Sequence, residues 1–246
     1  RRYNGLYNRK RISYFTKQNG SPKIKSSMLE VWGRKNSNQV IHVMWTVGEL
    51  NLDYKRHNVG GSFGGLKNEA YKKLNPNLYI PTIKDGNFVL WESYAIIRYL
   101  SKKYGYGSLW PKDICEAALA DQWIEWFQET LMPKLFPIFW NKVRVSENDR
   151  DNNKIEEMVK NLNSIMEILE KQLDGKNYII GDSFTMGDIP VGAGMFKYFE
   201  LDITRPSFPN IEKWYNKLCQ REAYKEHAMN KFGTNPNEWL EIEKKG

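Results

Sequence analysis

A chain of 246 residues that is 41% hydrophobic and 14% aromatic can build one large core or two modest ones, and no stretch is long and apolar enough to span a bilayer. The formal net charge of +8 suggests a nucleic-acid partner until it is located: residues 1–27 hold eight basic side chains and no acidic one, leaving 29 of each sign from Met28 onward. The body is therefore formally neutral, which argues against a basic groove and against nucleic acid as a partner. Residues 1–27 are rich in Arg, Lys, Asn and Ser and have no apolar core, so they read as a non-native or disordered basic leader ahead of Met28. Gly5, Gly20 and Pro22 would interrupt any amphipathic presequence helix.

Leu29 to Gly33 reads as a short strand, and Ser37-Asn38-Gln39 opens a helix with apolar positions Val40, Val43, Met44 and Val47. Asp53 to Val59 is the next strand, which makes a β-α-β unit with a right-handed crossover. Gly60 to Gly65 lacks both the Lys-Ser/Thr ending of a phosphate loop and the spacing of a dinucleotide fingerprint, so it reads as a flexible loop. Leu78 to Ile83 and Phe88 to Ser93 are two apolar runs about a Lys-Asp-Gly-Asn turn, the pattern of an antiparallel hairpin. Pro81 cannot donate to a ladder, so Ile80 before it is left extended with a free backbone, and a cis Ile80-Pro81 bond would suit that place. Glu92 and Ser93 stand where the second hairpin strand gives way to a helix, whose unpaired N–H groups can hold an anion. Together these features predict a cradle for a small peptide-like ligand bearing a carboxylate.

The run Asn75 to Ile83, followed by Leu90 to Leu100 (Leu-Trp-Glu-Ser-Tyr-Ala-Ile-Ile-Arg-Tyr-Leu), resembles the glutathione-binding half of the cytosolic glutathione transferases, in their theta-like bacterial branch. The resemblance spans about Met28 to Tyr224. It implies a thioredoxin-like α/β domain over 28–105, an all-helical domain over 113–246, and a homodimer in the cytoplasm. It further implies that Ile80, beside Pro81, pairs through its backbone with the cysteinyl unit of glutathione, while Glu92 and Ser93 hold the γ-glutamyl end. Glutathione then enters as a substrate, and no cofactor is implied.

Gly105 to Pro111 is the best linker in the chain, and the pattern beyond it is helical. Ile114 to Val143 carries Pro133 and Pro137 and reads as one kinked helix or two short ones; further helices are expected over Lys154 to Leu173, Gly187 to Phe199 and Ile211 to Gln220. Thr185-Met186-Gly187-Asp188 has the form of a capping box, with Thr185 as cap and Asp188 reaching back to its N–H. Cys115 and Cys219 are far apart, so neither a disulfide framework nor a zinc cluster is implied, and a reducing compartment is the natural one. His42, His57 and His227 are scattered, which argues against a metal site.

A transferase must convert a thiol of pKa about 8.5 into a thiolate near neutrality, and a shift of about two units needs roughly 2.7 kcal/mol of preference for the anion. One hydrogen bond to a charged group contributes about 1.5–3 kcal/mol and a helix N-terminus about 0.3–1. Ser37, at the start of the first helix, can supply both. The bacterial relatives often read Ser-x-Asn-Val-x-Lys there, whereas this chain has Gln39 and His42 at the Asn and Lys positions, so Asn36 and Asn38 remain candidates beside Ser37. Trp123, Trp126 and Phe127 are candidates for the wall of an acceptor pocket, although helical aromatics are more often core or subunit contacts. Asp121 could serve the amino end of glutathione or a bond between helices. The preferred activity is conjugation of glutathione to small apolar electrophiles. A glutathione-dependent peroxidase or disulfide reductase, and a non-catalytic interaction module, are the alternatives.

Overall fold

The computed structural model describes residues 28–246, so the reading of 1–27 as a leader lies outside the described residues. Strand β1 (Leu29–Trp32) leads into helix α1 (Asn38–Glu49) and strand β2 (Tyr54–His57), then helix α2 (Glu69–Leu74), strands β3 (Thr82–Asp85) and β4 (Phe88–Trp91), and helix α3 (Ser93–Tyr104). The sheet order is β2-β1-β3-β4, with β1 parallel to β2 and the other pairs antiparallel. This is the thioredoxin-like arrangement that the family resemblance implies.

Helices α4 (Ile114–Trp126), α5 (Met132–Phe139), α6 (Asn152–Gln172), α7 (Asp188–Glu200), α8 (Pro209–Leu218), α9 (Glu222–His227) and α10 (Pro236–Lys244) follow. The kink expected within Ile114 to Val143 takes the form of π-helical turns at Phe127–Leu131 and Trp140–Arg144 on either side of α5. A turn of that kind inserts an extra residue and rotates everything after it about the helix axis.

Helix α1 is the hinge of the packing. Every residue from Val40 to Val47 is buried, which a helix allows only when both faces are covered. Val40, Val43, Met44 and Val47 meet Leu29, Val31, Ile83, Ile96 and Leu100 in one core. Ile41 and Trp45, on the opposite face, enter the larger core of the helical half with Ile124, Phe127, Ile189 and Trp214. The far end of α1 is fixed by an ion pair, since Arg221 Nε donates to Glu49 Oε1 at 2.7 Å and its terminal nitrogen to Oε2 at 2.5 Å.

The turn before α7 departs from the expected capping box in one detail. Asp188 does reach back to accept from the Thr185 N–H at 2.9 Å, but the Thr185 hydroxyl donates to the same carboxylate at 3.3 Å. Asp188 also accepts from the Ile179 N–H and from Trp214 Nε1, both at 3.0 Å, so a local device has become an anchor between three segments. Burial pushes its pKa up to about 6, and the four donors keep it from rising further, so it is ionised at neutral pH. Thr185→Ala removes one donor of the four, and the expected loss is about 0.5–1.5 kcal/mol, read as a lowered denaturation midpoint with activity preserved.

Candidate active site

The Ile80-Pro81 peptide is cis. Tyr71 OH and Asn75 Nδ2 both donate to the Tyr79 carbonyl, at 2.6 and 3.0 Å, and Asn75 Nδ2 also reaches Thr82 Oγ1 at 3.2 Å. These two side chains brace the loop from both sides of the proline. Neither the N–H nor the C=O of Ile80 bonds to any described residue, so a donor and an acceptor are presented side by side. The loop between β1 and α1, which carries Ser37, lies against this segment: a methyl group on Gly33 would stand 3.5 Å from Ile80 Cβ.

Helix α3 begins at Ser93, and its first ladder bond runs from the Ile96 N–H to the Glu92 carbonyl, leaving the earlier N–H groups without helical acceptors. Glu92 has φ +71°, a left-handed conformation that costs a non-glycine residue of order 1–3 kcal/mol and is concentrated at binding sites. Its carboxylate is exposed and bonds to no described residue. Ser93 is buried, and its hydroxyl donates to Gln39 Oε1 at 2.6 Å, which joins the start of α3 to the start of α1. Gln39 Nε2 and Tyr94 OH converge on the Met132 sulfur at 3.6 and 3.7 Å, bringing α5 of the helical half against the same place.

The result is a cleft of about 580 Å³ between the two halves. One side is formed by Gln39, Ile80, Pro81, Glu92 and Ser93; the other, from the helical half, is formed by Gln128 and Glu129 and by the apolar run Met132, Pro133, Phe136 and Pro137. Ser37 sits at the adjoining end of α1 in the N-cap position, 8% exposed, with extended backbone and a hydroxyl that bonds to no described residue. Ser37 and Asn38 stand beside the cleft wall and are not part of it.

Residues 33–108 match the family model "Glutathione S-transferase, N-terminal domain" and residues 120–222 match "Glutathione S-transferase, C-terminal domain". The chain is 32% identical to Glutathione S-transferase GstB of Escherichia coli K12, over 82% of this chain and 98% of that one. The chain belongs to the cytosolic glutathione transferases. A solved theta-class glutathione S-transferase from Xanthomonas axonopodis pv. citri, with glutathione bound, superposes with a TM-score of 0.79 at 37% identity. That likeness covers 83% of this chain and 99% of that one. Glutathione S-transferase theta-1 of Rattus norvegicus is 28% identical over 68% of this chain. Membership in a theta-like bacterial branch and the glutathione transferase class of enzyme follow for this chain.

Within this transferase one sequence expectation needs revision, and one of the two alternatives for Asp121 is selected. Trp123, Trp126 and Phe127 do not wall the cleft: Trp123 and Phe127 are core residues, and Trp126 packs on Trp123 at 4.9 Å between centroids. The face of α4 that carries Ala120 is turned inward against α7. The approach is so close that a Cβ on Gly187 would stand 2.7 Å from the Ala120 carbonyl. The π-helical turn from Phe127 then rotates the next residues, and Met132, Pro133, Phe136 and Pro137 face the cleft instead. Asp121 makes the bond between helices, accepting from Arg98 Nε of α3 at 2.6 Å.

The C-terminal segment carries a role that the sequence reading passed over. Glu243 of α10 accepts from Arg34 Nε and the Ser62 N–H, each at 2.8 Å, and from Asn36 Nδ2 at 3.4 Å. Helix α10 thereby ties the loop before Ser37 to the glycine-rich loop. Burial raises the Glu243 pKa, but the Ser62 N–H and the Arg34 guanidinium outweigh it and hold the carboxyl below its usual range. The available signal was Asn235-Pro236, a cap followed by proline in the first turn, with Trp239 and Glu243 one turn apart on one face.

Proposed function

We propose that this enzyme conjugates the glutathione thiolate to small electrophiles with an apolar body, with Ser37 as the thiolate's donor. The observation that carries this reading is the pairing, across one cleft, of the free Ile80 backbone and the open start of α3 with the apolar wall of α5. Peptide glutathione lies against Ile80, its γ-glutamyl carboxylate meets the N–H groups at Ser93, and its amino group meets the Glu92 carboxylate. The sulfur is then directed toward Ser37 and the α1 N-terminus. The sulfur attacks an electrophilic carbon held against Met132, Pro133 and Phe136, a carbon–sulfur bond forms, and the leaving group departs with its electron pair. Asn38, adjoining Ser37, is the second polar group at that end of the helix. Glutathione is consumed as a substrate, and this chemistry needs no cofactor.

The enzyme works as a homodimer in the cytoplasm on this reading. Exposed Ile114 and Leu119 on α4 offer apolar area for a second copy, and an exposed free thiol at Cys115 suits a reducing compartment. Among the described residues no helix is long and apolar enough to cross a membrane.

Turnover of an aryl halide, with slow or absent turnover of a hydroperoxide, by protein retained on immobilised glutathione supports conjugation. Hydroperoxide reduction without aryl halide turnover would replace it with the reductase reading. Glu92→Ala is expected to weaken glutathione binding by about 1.5–3 kcal/mol, as loss of a charge-assisted hydrogen bond does, and Ser93→Ala by less, because the backbone N–H groups stay in place and only the link from the Ser93 hydroxyl to Gln39 is lost; calorimetry reads both directly. Parent-like affinity in both would remove these residues from the site.

A further inference from the structure

The turn that delivers Ser37 is fastened at its start by backbone and at its end by side chains. The Ser37 N–H donates to the Arg34 carbonyl at 3.2 Å, which closes the turn, and the N–H groups of Gly33 and Arg34 bind the His57 and Val59 carbonyls at 2.9 and 3.1 Å. Lys35 and Asn36 make no backbone bond of that kind, and Lys35 is exposed. Two side chains hold the turn instead: Arg34 Nε at 2.8 Å and Asn36 Nδ2 at 3.4 Å both donate to Glu243 Oε2, and neither side chain bonds to another described residue. The other oxygen of Glu243 accepts from the Ser62 N–H at 2.8 Å. The glycine-rich loop is shaped around this ion pair, since a Cβ on Gly61, which has φ +58°, would stand 2.5 Å from Glu243 Oε1 and 2.9 Å from Arg34 Cδ.

Glu243 is itself held from the helical half. Trp239, one turn before it on α10, is buried and meets Phe139 of α5 edge-on at 5.5 Å between centroids, and the Arg144 guanidinium lies 4.7 Å from the Trp239 ring centre. Helix α10 therefore spans from α5, whose Phe136 and Pro137 line the cleft, to the turn that ends at Ser37. A carboxylate that is 6% exposed and accepts from three residues of two loops is fixed in direction, and it passes that fixity to the turn. Ile80, Glu92 and Ser93, the residues assigned to the glutathione peptide, stand on other elements and make no bond to it.

We propose that Glu243 is a positioning residue for the transferase reaction, acting through Arg34 and Asn36 to hold the Ser37 hydroxyl on the glutathione sulfur. This rests on the transferase reading above. The sign of the effect separates positioning from a plain charge effect. Removing a nearby carboxylate, and leaving the Arg34 guanidinium without its counter-charge, favours an anion and would lower the pH at which the bound thiol titrates. Loss of a well-placed donor to the thiolate raises it.

The test titrates the thiolate absorbance of bound glutathione in the parent, Glu243→Ala, Glu243→Gln, Ser37→Ala and the Ser37→Ala/Glu243→Gln double variant, with glutathione affinity by calorimetry and kcat on an aryl halide alongside. Glu243→Ala should move the titration upward by about 0.5–1.5 pH units and lower kcat about 3- to 30-fold, a part of the Ser37→Ala effect, while glutathione affinity changes less than about threefold. Glu243→Gln keeps the shape and one acceptor oxygen, so it should shift less in the same direction, and it carries the test if the alanine variant does not fold. The double variant should titrate where Ser37→Ala does, because without the hydroxyl nothing is left to position, whereas independent contributions would add. A Glu243→Gln complex that titrates at or below the parent value, a Ser37→Ala complex that titrates with the parent, or a double variant shifted by the sum of the single changes overturns the proposal and leaves Glu243 as a fold anchor or a through-space charge. A parent complex that titrates like free glutathione removes the transferase reading and this proposal together; a depressed parent value with Glu243→Gln unshifted removes this proposal alone.

Discussion

Asp188→Ala is expected to destabilise the protein by about 3–5 kcal/mol, because it leaves the N–H groups of Ile179, Thr185 and Trp214 buried without an acceptor. Each orphaned donor costs about 1–3 kcal/mol, and relief of a desolvated charge offsets part of the sum. Against a total stability of about 5–15 kcal/mol this is a large share, and the thermal midpoint should fall by about 6–20 °C for a domain of this size. Asp188→Asn keeps one acceptor oxygen but turns an NH₂ toward donors, so it should fall between the parent and the alanine variant. A loss under about 1 kcal/mol for Asp188→Ala in a chemical denaturation series would mean that water replaces the carboxylate and that the three segments are held by apolar packing alone.

Ser37→Ala should leave glutathione bound while turnover falls about 10- to 100-fold near neutral pH, the rate equivalent of roughly 1.5–3 kcal/mol of lost preference for the thiolate. The hydroxyl is available for that task, since it caps no helical N–H and bonds to no described residue. The lost rate should return in part as the pH is raised, because a less acidic bound thiol ionises at higher pH. A parent-like kcat would place the donor at Asn36, Asn38 or an N–H of the first turn of α1.

The glutathione half of the fold was legible because its signals are local. A Lys-Asp-Gly-Asn turn sets the hairpin, Pro81 fixes the free backbone at Ile80, and the start of α3 follows Trp91 directly, all within one short run of chain. The acceptor side was not, for two physical reasons. The π-helical turn at Phe127–Leu131 shifts which residues face the cleft, and ordinary 3.6-residue periodicity carries no sign of it. The roles of Gln39 and Glu243 come from tertiary contact: Gln39 meets Ser93 across 54 positions, and Glu243 meets Arg34 across 209. Gln39 and His42 were visible only as departures from the residues often found there. In this fold Gln39 links two helix starts at the cleft, and His42 is wholly buried among the aromatic rings of Tyr94 and Phe127.

Titration of the thiolate absorbance of bound glutathione, in the parent and in Ser37→Ala, tests most directly that this site ionises its substrate. The parent complex should titrate about two pH units below the value of about 8.5 for a free thiol, and Ser37→Ala should move back upward by roughly one to two units. A parent complex that titrates like free glutathione would contradict the account, because the cleft would then bind the peptide without activating its sulfur.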